Sequence, residues 1–325
     1  MHMADTLISP AVGTTLWAVS AAAVTRGSWR VKHRLDSSRV PLMGVLGAFL
    51  FAAQMINFSI PGTGSSGHLG GGLLLAILLG PDAALLAIAS VLVVQALVFA
   101  DGGLLALGCN AFNMGVLPAF VAYPLVYRPL ARGGALRRSL AVLLAALVGL
   151  QLGAFAVVLE TVLSGRTELP FRAFLLAMQP IHLAIGLVEG FVTLAILGFL
   201  QRARPEILDG ESAPGSLRSA ALVGLLALLL GGVLTWYASK RPDGLEWATH
   251  RVSGGQELNP PANPVHTALA KTQQRTALMP DYQLKGEESK RSTSLAGLVG
   301  GITTLALLVG VGFSLMALRR RGRRA

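Results

Sequence analysis

The chain has 325 residues, 53% of them hydrophobic and only 13% charged, where soluble domains carry about a quarter charged residues. That balance excludes an ordinary soluble enzyme and makes lipid the main solvent. The net charge of +11 lies in short blocks between apolar segments, a pattern of membrane topology rather than of nucleic-acid binding. The one cysteine, Cys109, excludes an intrachain disulfide and a cysteine-based metal site.

The opening stretch MHMADTLIS has neither a basic region nor a cleavage signal, so the mature chain is expected to begin at or near Met1. Nine apolar segments follow, at roughly 7–25, 40–57, 69–80, 83–100, 104–127, 139–163, 173–200, 219–238 and 294–318. A helix needs about 20 apolar residues to cross a bilayer. The expected fold is therefore all-α, a polytopic helical membrane protein with about nine membrane segments. The third segment is short and ends at Pro81-Asp82, so a half-helix or a tight hairpin arm is open beside a full traverse.

Four basic blocks, in the connections 26–39, 128–138 and 201–218 and in the tail from Arg319, hold 17 of the 27 Lys and Arg. Nine spans put all four on one side, expected to be cytoplasmic. Eight spans would split them. The third segment is accordingly counted as a traverse, with the chain in the plasma (inner) membrane, its N-terminus outside and its C-terminus in the cytoplasm. Loop 58–70 and the polar stretch 239–293 then also lie outside, and 239–293 is expected to be a small, loosely structured module. Pro, Gly and Ser in 206–218 mark a cytoplasmic linker between units 1–205 and 219–325.

The loop contains PGTGSSGHLGGG, 61–72. Gly62, Gly64 and Gly67 match a dinucleotide fingerprint, but no βαβ unit surrounds them. Gly62 and Gly67 also begin a phosphate loop, but His68 and Leu69 stand where it needs Lys and Ser or Thr. A plain flexible loop is the simple alternative, yet it leaves His68 unexplained. The same topology brings Met1 and His2 to this face. A free α-amine, the His2 amide nitrogen and His2 Nδ1 can close two chelate rings on one ion, and His68 would complete a plane of four nitrogens. Tetragonal nitrogen ligation suits Ni²⁺ or Cu²⁺ better than Zn²⁺. Asp5 and Ser65 or Ser66 are candidate partners for the imidazoles.

MHMADTLISPAVG, PLMGVLGAFLFAAQMINFSIPGTGSSGHLGGGLL and ADGGLLALGCNAFNMG resemble the CbiM/NikM family over roughly 1–205. These are the substrate-specific membrane components of energy-coupling factor (ECF) transporters for cobalt and nickel, and the amino terminus resembles the nickel type. The resemblance implies Ni²⁺ or Co²⁺ as transported substrate, held by Met1, His2 and His68. It also implies two kinds of partner, a transmembrane coupling component and cytoplasmic ATPase subunits. RPDGLEWA, 241–248, resembles the auxiliary CbiN/NikN (PDGLE-type) component, here fused over 219–325.

Polar residues inside the membrane are Gln54, Asn57, Gln95, Asn110, Asn113, Gln151, Glu160, Gln179, His182 and Glu189. His182 and Glu189 lie two turns apart on one helix face and form a candidate intramembrane pair, for interhelical bonding or for a transport relay. Glu160 lies near the outer end of its span. His33, His250 and His266 sit in polar segments and are expected to be solvated. The chain carries no phosphate-binding motor motif, so it is not expected to be an enzyme or to bind nucleotide. Rival readings are a stand-alone secondary carrier or channel for divalent metals, and a membrane metalloenzyme or sensor.

Overall fold

The computed structural model describes residues 1–34, 40–203, 216–256, 258–259, 263–287 and 289–321. Nine helices take up the nine apolar segments: α1 (Pro10–Arg34), α2 (Val40–Gln54), α3 (Gly72–Leu79), α4 (Pro81–Val98), α5 (Leu107–Leu130), α6 (Ala135–Leu163), α7 (Phe171–Ala203), α8 (Ser216–Gly232) and, last in the chain, α11 (Lys290–Arg321). Between α8 and α11 lie α9 (Gly244–Val252) and α10 (Pro264–Thr276). Five helices, α4, α5, α6, α7 and α11, are each long and apolar enough to cross a bilayer. Outward-facing Leu136, Leu140, Leu144, Phe155, Leu159, Leu183, Leu187 and Phe191 leave α6 and α7 apolar on their exposed sides as well, as helices in lipid are. This is a helical membrane protein.

Helix directions follow from close contacts. Gly186 of α7 faces Leu147 and Leu150 of α6, and Gly190 faces Leu143 and Ala146, so the two run antiparallel. Gly44 of α2 lies against Leu305 and Val309, and Phe51 against Gly300, so α2 and α11 are antiparallel too. α8 crosses α11 where Gly231 meets Gly297, and a Cβ on Gly297 would sit 2.2 Å from the Gly231 carbonyl oxygen. These directions gather Arg30, Arg128, Arg137, Arg138, Arg202 and Arg319–Arg321 at one end of the bundle. Met1, loop 58–71 and the stretch 239–289 are at the other. Arg39, Arg204, Arg323, Arg324 and most of the expected linker lie outside the described residues.

The third segment reaches the basic end, where Arg30 Nη1 lies 3.6 Å from Asp82 Oδ2. Its helix has only 8 residues, a rise of about 12 Å against a hydrocarbon core of about 30 Å. Non-helical backbone, Leu69–Gly71, makes up part of the remaining depth. Such backbone survives at that depth only where protein satisfies its polar groups. Glu189 accepts the amides of Gly70 at 2.8 Å and Gly71 at 3.1 Å, and Gln54 Nε2 donates to the Gly70 carbonyl at 2.9 Å.

The described residues of 239–293 form two helices tied through their main chain to the membrane unit, where a loosely structured module was expected. The Ser239 amide bonds the Asn57 carbonyl, Met279 bonds Val98 and Asp281 bonds Phe99. Gln273 Nε2 of α10 donates to the carbonyls of Ala96 at 3.0 Å and Gly102 at 2.7 Å.

Candidate metal centre

The first nine residues form a tail plugged into the bundle mouth, with Met1, Met3, Leu7 and Ile8 buried. Asn110 clamps Met3 from both sides, accepting its amide at 2.8 Å and donating to its carbonyl at 3.2 Å. Asp5 accepts the Ala106 amide at 2.9 Å. His266 Nε2 lies 3.1 Å from the Asp5 carbonyl and 2.9 Å from that of Ile8, so His266 is a buried fastener of the tail rather than a solvated side chain. His33 and His250 are exposed.

Loop 58–67 is a short hairpin in which Phe58 pairs with Gly67 and Ser59 with Ser66. Gly62 and Gly64 turn it with φ of 76° and 79°, angles that suit glycine. His68 follows at once. Its Nδ1 donates to its neighbour's carbonyl, Leu69 O, at 3.2 Å, and its Nε2 lies 2.8 Å from the Met1 amine. The rings of His2 and His68 stack at 5.0 Å, 16° apart.

Two glutamines set the His2 tautomer. Gln54 gives its amide nitrogen to the Gly70 carbonyl, so its Oε1 must accept from Gln95 Nε2, at 3.0 Å. Gln95 Oε1 therefore faces His2 Nε2, also at 3.0 Å. That nitrogen carries the proton and leaves Nδ1 as the donor a chelate needs. Asp101 Oδ1 lies 3.5 Å from Nδ1. Ala100, at a left-handed φ of 55°, turns the chain so that the Asp101 amide bonds the Gln95 carbonyl.

The most important residue outside the expected set is Asp243. Its Oδ2 accepts the Met1 amine at 2.6 Å and stands 3.8 Å from His68 Nε2. The motif PDGLE builds this position. Asp243 Oδ1 caps α9 by accepting the amides of Leu245 and Glu246, and Glu246 accepts the Asp243 amide, a capping box. The Pro242 carbonyl accepts the Ser66 amide at 2.8 Å, and Leu245 is buried. The D-x-x-E spacing was a readable signal for a helix start, but nothing in sequence placed that helix beside Met1. Ser66 holds Arg241 and Pro242 through its hydroxyl, and Ser65 bonds the Ser66 carbonyl. Asp5, Ser65 and Ser66 thus position backbone and do not hydrogen-bond the imidazoles. His182 and Glu189 share a face but not a bond: Glu189 grips Gly70 and Gly71, and His182 Nδ1 bonds the Met178 carbonyl at 2.8 Å.

Burial, the ammonium charge and His2 hold His68 well below the usual histidine range, and burial lowers His2. Burial pushes Asp243 up, but the ammonium, His68 and its hydrogen bonds outweigh it and hold the carboxyl below the usual range. Two neutral imidazoles thus face an ammonium paired to a carboxylate. Among the described residues no three His, Cys, Asp or Glu side chains converge on one point; the candidate set draws on main-chain and terminal nitrogens instead.

An apolar helical bundle with a polar, histidine-bearing mouth defines a helical membrane protein, and comparison with known proteins gives the family. Residues 2–207 match the family described as CbiM, cobalt uptake substrate-specific transmembrane region, and residues 218–317 match the PDGLE domain. The chain belongs to the CbiM/NikM family, with a fused NikN-like unit. A provisionally named fused nickel transport protein NikMN of Archaeoglobus fulgidus is 34% identical over 94% of this chain and 96% of its own length. A cobalt transport protein CbiM of Geobacter sulfurreducens is 34% identical over 70% of this chain and 68% of its own. A crystal structure titled as a transition metal transporter superposes with a TM-score of 0.55 at 31% identity, covering 62% of this chain and 93% of that one.

Proposed function

We propose that this chain is the substrate-capturing membrane subunit of an ATP-driven ECF-type importer of Ni²⁺, with Co²⁺ as the related cargo. The ion is held by the Met1 amine, the His2 amide nitrogen, His2 Nδ1 and His68 Nε2 on the outer face. The carrying observation is the 2.8 Å approach of the Met1 amine to His68 Nε2, 67 residues apart, beside a His2 ring stacked on His68. A planar set with an ionised amide favours nickel, and relatives are named for both metals. A transmembrane coupling component and cytoplasmic ATPase subunits supply the energy, because the chain contains no motor motif of its own. The fused unit acts at loading, through Asp243.

Untagged protein should bind one nickel as a yellow, diamagnetic complex. One residue added before Met1, His2→Ala or His68→Ala should each abolish tight binding. Nickel affinity unchanged by an N-terminal extension would overturn the ligand set. Uptake by the chain alone in vesicles would overturn the ATP-driven assignment.

A further inference from the structure

His182 is fully buried. A carbonyl oxygen only accepts, so the 2.8 Å contact with Met178 O puts the ring proton on Nδ1 and leaves a lone pair on Nε2. That Nε2 has no hydrogen-bond partner among the described residues. The ring lines a cavity of about 10 Å³ together with Met1, His68 and Asp243, roughly the space of one water molecule or one small ion. Metal-binding histidines are oriented in this way, one nitrogen tied to a carbonyl and the other free. A histidine used for packing alone would leave a polar atom without purpose, where leucine would fill the space without that cost.

We propose that His182 Nε2 is a fifth nitrogen donor, which engages the ion from outside the plane of the four ligands as it enters or leaves. This rests on the four-nitrogen reading above. Planar nickel complexes exchange their ligands associatively, by adding a fifth donor before losing one of the four. A neutral imidazole at the wall of the same cavity supplies that donor without a change of charge. The fused unit controls access to it. A Cβ on Gly244 would lie 3.1 Å from His182 Cε1 and 2.8 Å from Ile181 Cγ2, so the first turn of α9 rests on this ring while Asp243 holds the amine.

The test is nickel transfer from the untagged full-length chain to EDTA, followed by loss of the planar absorption. His182→Asn keeps a donor for the Met178 carbonyl and has no atom at Nε2; His182→Gln places a poor nickel donor there. Both are checked by thermal melting. Each should bind nickel nearly as tightly as the parent but release it about tenfold or more slowly, the scale of a lost supporting contact, and free imidazole should restore the rate. Unchanged release in either folded variant overturns the proposal, Nε2 then holding only a water. Affinity lost as fully as in His2→Ala also overturns it, because His182 would then belong to the primary set. A parent protein that forms no planar nickel complex would instead sink the four-nitrogen reading itself.

Discussion

Asp243 divides its work between two oxygens, Oδ1 capping α9 and Oδ2 holding the Met1 amine. In the metal-free site one ammonium balances one carboxylate. In the proposed loaded site a divalent ion and an ionised amide leave one positive charge, which the same carboxylate balances. Asp243→Asn preserves the cap, since Asn caps helices as well as Asp, but leaves that charge buried and unpaired. Nickel affinity, by titration against a competing chelator, should fall by about 10–100-fold with the fold intact. Loading also exchanges protons. His2 and His68 are already neutral, so only the ammonium and the amide release them, and log affinity should rise by about two per pH unit. Below about pH 6.5 an unfolded histidine takes up a proton that buried His68 resists, so acid also weakens docking of the tail. A slope of about one or less between pH 6 and 8 would exclude amide ligation. The meeting of Met1, His2 and His68 was legible because each is chemically unusual where it stands. Gln54, Gln95 and Asp243 were not, because their roles depend on which helices become neighbours.

At the scale of elements, all nine apolar segments became helices, because length and hydropathy alone decide that outcome in lipid. What the sequence left open was the third. The glycines before and at its start build a tight hairpin and a buried non-helical descent, the latter fixed by Glu189 and Gln54. Glu189 could be seen as an intramembrane acid, but its partners are main-chain amides, which no side-chain pattern reveals. The described residues of 239–293 are more regular than expected, because the expectation rested on a polar composition. Their order comes from hydrogen bonds to the membrane unit, and hydropathy does not register those. The α8–α11 crossing depends on Gly231 and Gly297 touching backbone to backbone. Gly297→Val should force the helices apart and cost about 1–3 kcal/mol by overpacking, seen as a lower melting temperature in detergent. Gly301→Val, where a Cβ meets nothing within 4 Å, is the control and should melt like the parent.

Across the whole molecule, the basic blocks and the candidate metal centre lie at opposite ends. The described arginines of those blocks close one end of the bundle, and Met1, His2, His68 and Asp243 meet at the other, among basic residues such as Arg166, Arg241 and Lys290. The helix contacts group the described arginines of the four blocks at one end, and the Arg30–Asp82 pair brings the third segment to that end. The matches to a CbiM region over 2–207 and a PDGLE domain over 218–317 describe two modules in one chain. Among the places where they meet is the Asp243–Met1 contact, 242 residues apart. Because both partners belong to one polypeptide, their encounter is intramolecular, with an effective concentration set by the connection between them rather than by the amount of either module. Stoichiometry is fixed at one to one, and dilution cannot strip the cap from the mouth. The fusion turns what would be a binding equilibrium between subunits into an opening and closing equilibrium within a single molecule, whose rate no longer depends on how much of either module the cell makes.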